Sequence, residues 1–145
     1  TRAAVLEARD AARLHVAVHG AVTTAGGALA LADGPLTAAE ILAERVAPRE
    51  VVLTGCSTGG GRDPEAWDGF PSAFLAAGSR AVVATVRTVG DEDAAELTAR
   101  YYALPDGTDA IDRLAAAQRA LIAAGRPVDA WASFAVWGVA GCDAR

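Results

Sequence analysis

Lysine and methionine are absent from this chain of 145 residues, and cysteine occurs only at Cys56 and Cys142. Without lysine every cation is an arginine, and with the heavy use of alanine this points to a GC-rich bacterial coding sequence. The missing initiator methionine leads us to expect a segment of a longer chain. Two cysteines are too few for a disulfide scaffold and nothing marks the chain for secretion, so a reducing cytoplasm is the expected setting. No apolar stretch approaches the roughly 18 uncharged residues of a membrane-spanning helix, and no basic segment leads into an apolar one as in a signal peptide. A membrane is therefore not an expected partner. Thirteen basic against eighteen acidic residues leave a net charge of −5. Nucleic acid is not expected by itself either, because phosphate contacts need clustered cations.

What is present is a globular composition, 52% apolar and 21% charged, which argues against disorder. The length suits one compact domain, taken as residues 1–145, able to bury roughly two thirds of its unfolded surface. Residues 1–10 read as helical. Leu14 to Val18 is a short apolar run ended by His19 and Gly20. Ala28 to Leu31 reads as a short hairpin arm before the turn Asp33-Gly34-Pro35. Thr37-Ala38-Ala39-Glu40 is a capping box, with Leu36 and Ile41 at the two staple positions around it. Val51 to Thr54 is a buried strand that stops at a glycine-rich segment, Gly55 to Gly61. A helix is predicted from Pro71 to Gly78, then a second buried strand, Ala81 to Val86. Asp91–Leu104 and Thr108–Ala124 are predicted helices, and Phe134 to Trp137 is a last strand. Strands that are apolar throughout, alternating with helices, predict an α/β fold with a mostly parallel sheet covered by helices on both faces.

In such sheets reactive groups gather at the carboxyl ends of the strands. His19 ends one run and Cys56 follows the next. The interval between them accommodates one right-handed crossover with its helix, which takes roughly 30 residues. Neighbouring parallel strands then hold an imidazole and a thiol at one sheet edge, where they can act as base and nucleophile. The backbone N–H groups of Gly20 and Cys56 are candidates for an oxyanion hole.

The same residues resemble a known family. Leu14-His15-Val16-Ala17-Val18-His19-Gly20, Leu36 to Ile41, and Val51-Val52-Leu53-Thr54-Gly55-Cys56-Ser57-Thr58-Gly59 look like the CHAT family of caspase-like cysteine peptidases. Phe74 to Val83, Asp91, Tyr101-Tyr102, Ala116-Ala117-Gln118 and Trp131 to Phe134 extend the likeness in order along nearly the whole chain. The resemblance implies a fold of the caspase, separase and gingipain type. It also implies a Cys56/His19 dyad that hydrolyses peptide bonds in a protein or peptide substrate, without a cofactor. It further implies upstream TPR or other repeat domains in the same protein and a switched role in bacterial signalling or defence. This chain would be the C-terminal half of a larger CHAT domain. Where the family usually has Trp after the strand ending at Val86, this sequence has Arg87. Asp91 and Arg87 are both candidates for the mouth of the site. Asp91 would favour a basic substrate side chain next to the cleaved bond and Arg87 an acidic one. Asp91 also reads as a helix N-cap.

Other residues have plainer readings. His15, about 13 Å from His19 along an extended strand, reads as structural. Cys142 has no partner motif. Trp67 either covers the cleft or anchors its loop. The glycine-rich segment lacks the lysine of a phosphate loop, since Arg62-Asp63 follow it, and two histidines with two cysteines show no metal-ligand spacing. A flavodoxin-like small-molecule domain fits the alternation but leaves His19 and Cys56 unexplained. The expected function is thus a cysteine endopeptidase. The alternative is a non-catalytic interaction or regulatory module that keeps a protease-derived fold.

Overall fold

In the computed structural model of the chain, which describes residues 1–23, 26–55 and 69–138, the apolar runs at 51–53 and 82–84 are buried on both faces. The described residues form strands β1 (Arg13–Val16), β2 (Gly20–Thr23), β3 (Gly26–Leu31), β4 (Gly34–Thr37), β5 (Glu50–Leu53), β6 (Ala81–Thr85) and β7 (Phe134–Gly138). Their helices are α1 (Arg2–Glu7), α2 (Ala38–Ala43), α3 (Phe70–Ala77), α4 (Asp91–Tyr102), α5 (Ala110–Ala123) and α6 (Val128–Ala132), with a 3-10 turn at Ala8–Asp10. The main sheet has the order β1-β5-β6-β7; the first three strands are parallel and β7 runs antiparallel to β6. Successive side chains on a strand face opposite ways. Val51, Leu53, Val82 and Ala84 accordingly enter one core with Val5, Ile41 and Phe74, while Val52 and Val83 enter another with Leu97, Leu114 and Phe134. Helices α1 to α3 thus cover one face and α4 and α5 the other. Each fully buried Leu or Phe contributes roughly 1.5–3 kcal/mol.

The capping box is formed. The Thr37 hydroxyl accepts from the Glu40 N–H at 3.2 Å and a Glu40 carboxylate oxygen accepts from the Thr37 N–H at 2.9 Å. Leu36 and Ile41 are fully buried in the same cluster. Arg2 joins α1 to this cap through a 2.7 Å ion pair with Glu40 and a hydrogen bond to the Pro35 carbonyl. At the end of α3, Gly78 has φ +125°, and a Cβ there would sit 3.4 Å from that of Ala47.

Two elements differ from expectation. The hairpin arm at 28–31 is β3, the centre of a three-stranded antiparallel sheet with β2 and β4. The flanking strands are four residues each and contain Gly20, or Gly34 and Pro35, so propensity does not reveal them. Pairing does: Leu29 stands opposite Leu36, and both are buried in the main core. The second difference is α6, five residues preceded by Pro127 as N-cap, which turn the chain back so that β7 enters antiparallel. Gln118 holds this reversal, its amide donating to the carbonyls of Trp131 at 3.0 Å and Phe134 at 3.2 Å.

Candidate active site

Because β1 and β5 are parallel neighbours, their carboxyl ends meet at one edge of the sheet. The Thr54 N–H donates to the Val16 carbonyl at 3.1 Å, which carries the ladder one residue past β5. Residues 15 and 17–19 from the β1 side and Thr54 and Gly55 from the β5 side line a cavity of about 540 Å3. Its remaining wall is α4. Asp91, Ala94, Ala95, Thr98, Ala99 and Tyr102 face it, three or four residues apart as one helical face requires.

His19 is exposed at this cavity. The Ala30 N–H donates to the His19 carbonyl at 3.1 Å, so His19 stands where the chain leaves the main sheet for the small one. Hydrogen-bonded and non-hydrogen-bonded pairs alternate along an antiparallel ladder. The bond at His19 makes Gly20 and Leu29 a non-hydrogen-bonded pair, with the Gly20 N–H turned away from β3. Cys56 lies outside the described residues, as do the rest of the glycine-rich segment, Trp67 and Cys142. Gly55, the residue before Cys56, is buried and lines the cavity with His19.

Asp91 also lines it. Gly90 is the N-cap of α4, and Asp91 is the first helical residue, so the N-cap reading of Asp91 does not hold. Arg87, exposed on the bend after β6, is not among the residues of the cavity wall.

His15, expected to be structural, lines the same cavity as His19. Its Nε2 is 3.2 Å from the Thr54 hydroxyl, and its ring lies 5.6 Å from that of Tyr102, tilted by 44°. One edge stays open to solvent, yet the burial that remains lowers the imidazole pKa. The Arg13 guanidinium lies 5.2 Å from the Tyr102 ring centre and pairs with both oxygens of Glu50, at 2.5 and 3.2 Å. Tyr101 donates to the same carboxylate at 2.8 Å. Burial, then the charge of Glu50, raises the Tyr101 phenol pKa, and burial pushes Tyr102 up to about 12. The Tyr102 hydroxyl is buried with no hydrogen-bond partner among the described residues.

Thr85, at the end of β6, is fully buried, and its hydroxyl donates to the Gly55 carbonyl. Sequence reading missed it. The available signal was a single hydroxyl ending a run of valine and alanine, in a strand with no solvent-facing side. Among the described residues no three His, Cys, Asp or Glu side chains come together as a metal ion would need. No described helix is long and apolar enough to cross a membrane.

A search of curated proteins finds no match to this chain. The family model of the CHAT domain matches residues 1–139. That match covers nearly the whole chain, and its α/β architecture, with a mostly parallel four-stranded sheet between helices, is that of a caspase-like fold; the chain belongs to the CHAT family.

Proposed function

We propose that this chain is a cysteine peptidase in which Cys56 and His19 form the catalytic dyad. The observation that carries the reading is that His19 and Gly55, which precedes Cys56, line one cavity at the carboxyl ends of adjacent parallel strands. In the proposed reaction the His19 imidazole takes the thiol proton as the Cys56 sulfur attacks the scissile carbonyl. The Gly20 and Cys56 N–H groups receive the developing oxyanion. Collapse of the tetrahedral intermediate breaks the C–N bond, and His19 returns the proton to the leaving amine. Water then attacks the thioester, His19 again accepting a proton, to release the acid and the free thiol.

Asp91 in the cavity wall and Arg87 outside it support a substrate with a basic side chain next to the cleaved bond. Helical-repeat domains of the same protein, a cytoplasmic setting and a switched role in bacterial signalling or defence belong to the same reading.

The test is alkylation of Cys56 by iodoacetamide across pH, in the chain and in its His19→Ala variant, followed by cleavage of peptides with arginine before the scissile bond. Fast labelling below the ordinary thiol pKa of about 8.5, lost in His19→Ala, is expected. Cleavage is expected to fall on the order of 10^6-fold in Cys56→Ala. An ordinary thiol profile in both proteins, or cleavage retained by Cys56→Ala, overturns the dyad and favours a binding module with a protease-derived fold.

A further inference from the structure

The end of β5 is held from both sides. In the register with β6, Leu53 stands opposite Ala84. The next residue of β6, Thr85, stands opposite Phe134 of β7, and its hydroxyl donates to the Gly55 carbonyl. On the other flank the Thr54 N–H reaches the Val16 carbonyl, and the Thr54 side chain meets His15. The two residues that lead into Cys56 are thus each tied by side chain to a different neighbouring strand.

Thr85 is an unusual occupant for its position. The preceding residues of β6 are valine and alanine, and Thr85 is fully buried. A buried hydroxyl costs free energy unless it is hydrogen-bonded, and valine would fill nearly the same space without that cost. The hydroxyl is therefore best explained by what it holds. That is a buried carbonyl in the peptide unit whose nitrogen belongs to Cys56, and a planar peptide transmits the orientation of one end to the other.

We propose that Thr85 is a positioning residue for the reaction: its hydroxyl fixes the Gly55 carbonyl and so aims the Cys56 segment at His19. The inference rests on the cysteine-peptidase reading above. It differs from a purely structural role in predicting an effect on thiol activation that is separable from stability.

Iodoacetamide labelling of Cys56 at pH 6 and at pH 9.5 decides it, in the unaltered chain and in the Thr85→Val, Thr85→Ser and His19→Ala variants, with thermal melts alongside. Thr85→Val is expected to label about tenfold more slowly at pH 6, the worth of one hydrogen bond. At pH 9.5, where the thiolate forms without help, its rate should equal that of the unaltered chain. Thr85→Ser, which keeps the hydroxyl, should restore the pH 6 rate even if its melting temperature drops. Should Thr85→Val not fold, Thr85→Ala removes the same hydroxyl with no new methyl to pack. Equal pH 6 rates in the hydroxyl-free variant and the unaltered chain, with His19→Ala slow, overturn the inference and leave the dyad standing. Equal rates in the unaltered chain and His19→Ala overturn the dyad, and the positioning role with it.

Discussion

His15 of β1 and Thr54 at the end of β5 meet through Nε2 and the hydroxyl oxygen at 3.2 Å. In the register of the two strands His15 stands opposite Val52, so the contact is made diagonally, just where the chain heads for Cys56. The imidazole thus belongs to the wall of the cavity that His19 also lines, and its charge state bears on that cavity directly.

His15 gives the first prediction. Burial holds its pKa below the ordinary histidine value of about 6.5. Between that value and the lower one in the folded protein, the unfolded chain binds more protons, so stability falls as pH drops through this window and levels off below it. His15→Phe keeps a ring against Tyr102 but cannot be protonated. Thermal melts between pH 5 and 7 should show a shallower loss of stability in His15→Phe than in the unaltered chain. Ring-proton NMR should give His15 a midpoint below 6.5. An unchanged slope in the variant would rule His15 out as its source.

Glu40 gives the second, at lower pH. The Arg2 guanidinium, then the Thr37 N–H, pull its carboxyl down to about 2. A depressed carboxylate contributes stability that is complete above its unfolded value near 4.5 and is lost as pH falls toward about 2. Glu40→Gln should therefore be less stable than the unaltered chain at pH 6, and the difference should shrink between pH 4.5 and 2. Thr37→Ala, which removes the cap itself, should cost about 1 kcal/mol at neutral pH. Denaturant titrations at a series of pH values measure both. A Glu40→Gln deficit that persists at pH 2 would show that the cap owes little to the ion pair.

The legible parts of the fold were those in which a local rule and the tertiary structure agree. Val51 to Leu53 and Ala81 to Thr85 read as buried strands because both faces are covered, and Thr37 and Glu40 read as a cap because the box is local. The small sheet was hidden because Gly20–Thr23 and Gly34–Thr37 become strands only through their pairing with β3. Of the site, His19 and Asp91 were legible as residues at element ends. His15 reads as structural from the sequence; its place in the cavity wall follows from its contacts with Thr54 and Tyr102, which lie far from it along the chain. Thr85 was silent, since a hydroxyl gains its role from the element it touches.

Arg113 carries the third prediction. Its side chain is 1% exposed and donates to four backbone carbonyls: Tyr101 at 3.3 Å, Leu104 at 3.2 Å, Pro105 at 2.7 Å and Thr108 at 2.9 Å. These follow the last turn of α4 into α5, so one guanidinium ties the end of the helix that walls the cavity. Lysine keeps the charge but not the planar fork of donors. Both Arg113→Lys and Arg113→Met should lose about 3 kcal/mol in urea unfolding, with the lysine variant recovering little. A lysine variant as stable as the parent would show that charge, not geometry, holds the turn.

The last prediction concerns the edge of the main sheet. Gly138 closes β7 opposite Ala81 with φ +140°, a backbone conformation that side chains rarely adopt. A Cβ there would lie 2.2 Å from the Arg80 carbonyl oxygen and 2.9 Å from the Ala81 Cα. Both are backbone atoms, so the clash is relieved only if β7 moves away from β6. Gly125 is the control: its φ is +68°, but nothing lies within 4 Å of the added carbon. Gly125→Ala should cost about 1 kcal/mol, the ordinary penalty of a left-handed residue. Gly138→Ala should cost more than that and should speed amide exchange along the β6–β7 ladder, at Trp137 and Val82, which form a hydrogen-bonded pair, while the amides of β5 stay protected. Equal costs for the two variants would mean that β7 yields freely. In that case the antiparallel strand is a loose border of the sheet, and the parallel core of β1, β5 and β6, which carries the candidate site, does not depend on it.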